Sequence, residues 1–312
     1  MHRIDGPTAA PGGFFTEGDP TGGVAATIVS DDWMNDVQEN IIAVLTAAQM
    51  APTKGRAADL LDSMRALFPG ISGASRNLAA NLAAANTGVT VTAKELIVIE
   101  NSTGRSYRLV DYSQGVNLLN VGKGGINSGV APASGSVALY AIFNPTTKDA
   151  SILAIDVSGS VPAPTFIYND LPAGYTASAF ISLLKTNSSR QLIPFLQIER
   201  EVFIADQPAL STTAIPSTPT ANTSALIPFG AKSISGSLSV QSTNASNLQM
   251  TVAGNPQNAG KFANTGAVLA GNTQQVPYYG LPLQTPQTFY YTMASSAAGT
   301  STAVLSFSSY KF

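Results

Sequence analysis

The chain of 312 residues is 44% hydrophobic, enough to fill real cores, yet only 11% of it is charged and its formal net charge is −2. With no Lys/Arg cluster it has nothing to neutralise a phosphate backbone, which excludes nucleic acid as a partner. Cysteine is absent and the one histidine is His2, which removes disulfides, thiol catalysis, Cys-based zinc sites and a Ser-His-acid triad.

Solubility must then rest on hydroxyls and amides, a surface that suits sheet and turn. The start, MHRIDGPTAAPGGFF, lacks the basic and apolar regions of a cleaved signal, and no run reaches the length of a membrane span. Synthesis in the cytoplasm without membrane insertion is expected.

Residues 1–30 are dense in Gly and Pro without a sustained period, and read as an extended N-terminal arm that orders against a partner. Residues 31–70 read as a helical hairpin. In the first helix Trp33, Val37, Ile41, Val44, Leu45 and Ala48 share one stripe, with Asp31 and Asp32 at the end where carboxylates are favoured. In the second, Ala57, Leu60, Leu61, Met64, Leu67 and Phe68 repeat at three- and four-residue steps, with Thr53 as cap and Pro69-Gly70 as stop. Two short amphipathic helices make little core alone, so the stripes should face each other, a second copy or another protein.

Residues 71–88 read as a linker, and from 89 the period changes. VTVTAKELIVIE, SVALYAIF, ASILAIDV, YTASAFISLL and QLIPFLQIEREVFI are β-branched and aromatic runs separated by turn signals such as NPTTKD and DLPAGY, which predicts an antiparallel β-sandwich over 89–206. Acidic residues stop at Asp206, marking a boundary there. Residues 207–224 read as a Pro/Thr-rich linker, and 225–312 as a smaller, C-terminal β-rich unit whose side-chain charges are Lys232, Lys261 and Lys311 alone. The expected class is mainly β: two antiparallel sandwich or jelly-roll-like units after a short helical hairpin.

Paired carboxylates are the catalytic scheme still open. Asp111, Asp149, Asp156, Asp170, Glu199, Glu201 and Asp206 are available for it, but they read better as solvated turns and strand edges. Asp31, Asp32 and Asp36 read as helix-start carboxylates, so no metal or cofactor is expected and the chain is read as a non-enzyme. The candidate binding residues are Tyr278, Tyr279, Tyr290 and Tyr291. Aromatic faces stack on sugar C–H surfaces while neighbouring amides and hydroxyls read sugar hydroxyls; the alternative is that these rings fill the sandwich core or an interface. In QTFYYTM, period two sets Phe289 and Tyr291 on one face and Tyr290 on the other.

The segments MHRIDGPTA, FTEGDPTGGVAAT, DDWMNDVQENIIAVLTAAQM and KGRAADLLDSMRAL resemble the N-terminal module of tail fibre proteins of bacteriophages infecting Gram-negative bacteria. VTVTAKELIVIE, GRSYRL, GKGGINSG, APASGSVALYAIFNPTT and DLPAGYTASAFISLLKTNSSRQ are similar to a domain that follows it in such fibres. The resemblance covers roughly residues 1–206. It implies a virion component, a homotrimer, docked on the tail baseplate by its N-terminus and carrying a receptor-binding C-terminus that meets a polysaccharide, pilus or outer-membrane protein of the bacterial surface. Trp33, Val37, Ile41, Leu60, Leu61 and Met64 would then pack helices within the hairpin or between three subunits. Two rivals stand beside this reading: a purely structural baseplate or collar connector, and a polysaccharide depolymerase tailspike.

Overall fold

A computed structural model describes residues 2–68, 70–159, 162–296 and 298–312. The chain divides into two units, Met1–Pro69 and Gly70–Phe312. In the first, Ser30 accepts a hydrogen bond from the Trp33 amide at 3.3 Å and starts α1 (Asp31–Ala47), whose first turn carries Asp31 and Asp32. The arm before it is folded. Paired amide–carbonyl bonds of 2.8 and 2.9 Å close a turn between Asp19 and Val24, a second turn joins Ala10 to Phe14, and Ile4 is buried. Gly18, at φ +76°, permits the first turn, since a Cβ there would stand 2.5 Å from the Val24 carbonyl oxygen. Glycines read from sequence as extended arm are what let the chain turn back on itself.

The second helix, α2 (Asp59–Leu67), begins without the Thr53 cap expected for it. Instead the Asp59 carboxylate accepts from the Thr53 amide at 2.6 Å. Its expected stop, Pro69, lies outside the described residues.

The second unit holds β1 (Ser75–Arg76), β2 (Ala79–Leu82), β3 (Gly88–Glu100), β4 (Ser106–Asn117), β5 (Ser136–Asn144), β6 (Asp149–Asp156), β7 (Ala177–Lys185) and β8 (Phe195–Ile198). These are followed by β9 (Glu201–Thr212), β10 (Thr220–Thr223), β11 (Ser233–Ser242), β12 (Ser246–Ala253), β13 (Phe262–Val268), β14 (Thr273–Pro282), β15 (Thr288–Ser295) and β16 (Ser301–Lys311). The class is mainly β: among the described residues 46% lie in strands or isolated bridges against 8% in helix. Among the described residues one twelve-stranded antiparallel sheet runs β14-β11-β16-β9-β8-β2-β3-β7-β5-β6, with β1 and β4 also on β3; a second, four-stranded, runs β10-β15-β12-β13.

Side-chain alternation explains how the sheets pack. β3 buries every second residue along most of its length, whereas SVALYAIF in β5 is buried on both faces and reads accordingly as a continuous apolar run. β4 meets β6 across this core, where the buried Tyr112 hydroxyl donates to the Ser151 carbonyl at 2.9 Å. The β5–β6 turn is held by Asn144, whose side-chain oxygen accepts from the Thr146 and Thr147 amides at 2.9 and 3.2 Å. Toward the other end, Leu238, Tyr278, Leu305 and Phe307 of the large sheet are buried with Leu248, Met250, Phe289 and Met293 of the small one in the same core.

The boundary expected at 206 falls inside β9, and the expected linkers 71–88 and 207–224 contain β1, β2, the end of β9 and β10. β9 pairs with β8 on one edge and with β16 on the other, so residues 89–206 and 225–312 share one sheet. The loss of acidic residues after Asp206 describes the solvent-facing side of strands, not a break between domains. Tyr310 ties the two regions further: it is 1% exposed and its hydroxyl donates to the Leu183 carbonyl at 2.6 Å. Tyr310→Phe should therefore cost about 1 kcal/mol, read from urea unfolding, with β regions before and after residue 206 still melting in one transition; two separated transitions in the wild-type chain would contradict the shared sheet.

Candidate functional site

In α2 the polarity is inverted. Asp59, Asp62 and Ser63 are buried, whereas Leu60, Leu61, Met64 and Leu67, together with Phe68 just beyond the helix, are exposed, Phe68 at 78%. Arg56 accounts for this. Its guanidinium reaches Asp59 at 2.9 Å and Asp62 at 2.5 Å, so the loop before the helix lies over the acidic side, and Ser63 donates back to the Asp59 carbonyl at 2.8 Å. A carboxylate pair this far from water needs its cation, and satisfying it turns the leucines outward. Of the three arrangements open to the stripes, facing each other is excluded for α2, whose apolar residues stay exposed, which leaves a second copy or another protein. In α1, Trp33 is half-buried and meets Phe15 edge-on at 5.2 Å, Val37 is half-buried, Leu45 is buried, and Ile41 is exposed. Of the six residues expected to serve attachment, Ile41, Leu60, Leu61 and Met64 offer apolar surface.

His2 links the arm to α1. Its ring lies 2.9 Å from the Asp36 carboxylate and its backbone amide donates to the same oxygen. The hydrogen bond with Asp36 holds the imidazolium above its ordinary range, and the same bond holds Asp36 below its own.

The four candidate tyrosines separate. Tyr278 is fully buried, its hydroxyl donating to the Ser306 carbonyl at 3.0 Å, and Tyr291 is 7% exposed, so neither offers a ring to a ligand: both fill the core between the sheets. Tyr290 is half-buried, on the opposite side of β15 from Phe289 and Tyr291, as period two requires. Tyr279 stands out at 74% exposure.

Tyr279 edges an open trough of about 550 Å³ on the large sheet, with Phe203 of β9 also lining it. Ser235 of β11 pairs with Ser309 of β16, and Ser309 with Phe203 of β9, so with Tyr279 of β14 the lining spans four strands. All three strand pairs, β14–β11, β11–β16 and β16–β9, shift register at this level, and such bulges bend a sheet locally. Gly236 permits the close approach, since a Cβ there would stand 2.2 Å from the Ser306 carbonyl oxygen. Glu201 and Asp206 supply carboxylates. Glu201 accepts from the Ser309 hydroxyl at 2.7 Å and pairs with Lys311 at 3.6 Å. Of the other carboxylates considered for catalysis, Asp111 pairs with Lys94 at 2.8 Å, and Asp149 pairs with Lys123 at 2.5 Å while accepting from Tyr175 at 2.6 Å. The sequence has no local signal that groups Phe203, Glu201 and Asp206 of β9 with Ser235 of β11 and Tyr279 of β14, three strands far apart in the chain.

The fold and these surfaces define a mainly β protein that begins with a small helical unit bearing an outward apolar face. No family model matches the chain. StfP, an uncharacterized protein of Escherichia coli K12, is 39% identical to it over 74 residues, 22% of this chain and 35% of StfP. The match thus spans about a third of that relative. Among solved structures, that of infectious bursal disease virus, Gx strain, aligns over 78% of this chain and 74% of the other with 14% identity and a TM-score of 0.22, a likeness too low to carry an argument.

Arg56→Ala should destabilise the helical unit by about 2 kcal/mol, Arg56 being itself half exposed, while Leu61→Glu and Phe68→Glu should change stability by less than about 0.5 kcal/mol; hydrogen exchange across residues 31–68 reads both, and the reverse order would contradict the inverted polarity. The arm's contact has a pH window. A raised His2 pKa contributes stability that is present below the unfolded value and lost as pH rises through the folded one. The lowered Asp36 pKa contributes stability lost as pH falls through it. Amide protection over residues 2–30 should therefore decline as pH rises from about 6.5, the ordinary imidazole value, through the raised folded one, and His2→Ala should reduce that decline.

Proposed function

We propose that the chain is a bacteriophage tail fibre protein, acting in the virion as a homotrimer, with the helical unit as its attachment module on the tail baseplate and the β-rich unit in contact with the bacterial surface. The observation that carries this reading is the outward face of Leu60, Leu61, Met64, Leu67 and Phe68. A contiguous apolar face held outward by a buried ionic arrangement marks a surface that a partner covers. The ordered motif series over residues 1–206 supplies the kind of partner, and the partial identity with StfP is in keeping with it. The second unit suits adhesion at low charge: several weak contacts on a multivalent particle give firm attachment without any one strong site.

Fluorescently labelled full-length protein, added to a panel of Gram-negative strains, should adsorb to a subset of them. Release of soluble oligosaccharide from the bound cells would favour the depolymerase. Absence of adsorption to every strain, with association to fibreless virions retained, would favour the connector.

A further inference from the structure

We infer that the trough between Phe203 and Tyr279 is a binding site for a neutral oligosaccharide. The inference deepens the tail fibre reading and rests on it for its biological setting, but its chemistry stands on the trough alone. Phe203 is 39% exposed and Tyr279 74% exposed, two rings on one face of the sheet, on strands separated by three interstrand steps, or about 14 Å. Between them the floor is hydroxyl-bearing: Ser235, whose side-chain oxygen accepts from the Gly280 amide at 2.9 Å, and Ser237.

A wholly apolar ligand would cover the trough's serine hydroxyls and carboxylates without giving them partners, and a lone small polar molecule would not use two rings so far apart. A sugar chain has what both parts require. Its C–H faces stack on aromatic rings, and its hydroxyls donate to carboxylates and exchange hydrogen bonds with serines. Charge selects among sugars. Asp206 and Glu201 line the trough without a lining cation, and nearby Lys311 is already paired with Glu201. An acidic sugar would bring a third carboxylate to this edge and be repelled, whereas neutral hydroxyls find acceptors. The volume of about 550 Å³ lies within the range of small-ligand sites, and the open form admits a chain whose ends continue beyond it.

The test uses the full-length chain on an array of immobilised neutral oligosaccharides built from glucose, galactose, mannose and N-acetylhexosamines, with uronic-acid counterparts. Binding is expected to one or more neutral members and to no acidic one. Tyr279→Ala and Phe203→Ala should each weaken it at least tenfold and Asp206→Asn at least threefold, while Tyr168→Ala, an exposed ring elsewhere, should leave it unchanged. No binding to any neutral member, tighter binding to acidic ones, or undiminished binding by Tyr279→Ala would overturn the inference. So would a change in solution mass on Tyr279→Ala, which would make the trough a contact between copies. Adsorption to cells, run in parallel, separates the two readings. Strain-selective adsorption that survives Tyr279→Ala removes the trough and leaves the tail fibre; glycan binding lost in Tyr279→Ala, with no adsorption to any strain, sustains the trough and removes the tail fibre.

Discussion

Pairing of β9 on both edges is the interaction on which the β-rich unit depends. One edge meets β8 and through it the strands that begin near residue 79; the other meets β16, which brings β11 and β14 into the same sheet. Ladder pairing is supported by packing at the junction. Arg200 lies against the Phe180 and Phe312 rings, at 5.9 and 5.3 Å from their centroids, and donates to the Gly73 carbonyl at 2.7 Å, drawing together residues far apart in sequence. Loss of pairing at β9 would expose two strand edges at once, and exposed edges invite wrong partners.

The same continuity creates the trough. A sheet this wide cannot stay flat, and the register shifts shared by β9, β11, β14 and β16 bend it where Gly236 lets neighbouring backbones approach. Aromatic and carboxylate side chains then stand on a surface that no single strand could form. In the helical unit a different device gives an analogous result. Arg56 satisfies two buried carboxylates, and the apolar residues are left outward because the inner side is already occupied by charge.

Much of this was legible in the sequence where a local period decided the structure. The alternation in VTVTAKELIVIE, the unbroken run in SVALYAIF and the Asn144 turn each specify one element and depend little on distant partners. Both helices were legible for the same reason, though the side they present was not: Leu60, Leu61 and Met64 form a correct stripe, but the ion pairs from Arg56, three and six residues away, outweigh the hydrophobic preference for burial. The domain boundary misread at Asp206 came from taking surface charge for chain path. Among the tyrosines, alternation separated Tyr290 from Tyr291, while the fate of Tyr278 and Tyr279 depended on which side of a bulged edge strand the small sheet covers, a tertiary fact with no local signal.

The proposed tail fibre role requires the protein to sit in a phage particle, held there by its helical unit. Immunoelectron microscopy tests this most directly, with antibody raised against the full chain and applied to intact particles from lysates that contain the protein. Label is expected at the tail end of the particles, and is expected to be lost from particles grown with Leu61→Glu and Phe68→Glu combined. Particles free of label, with all of the protein left in the soluble fraction, would contradict it.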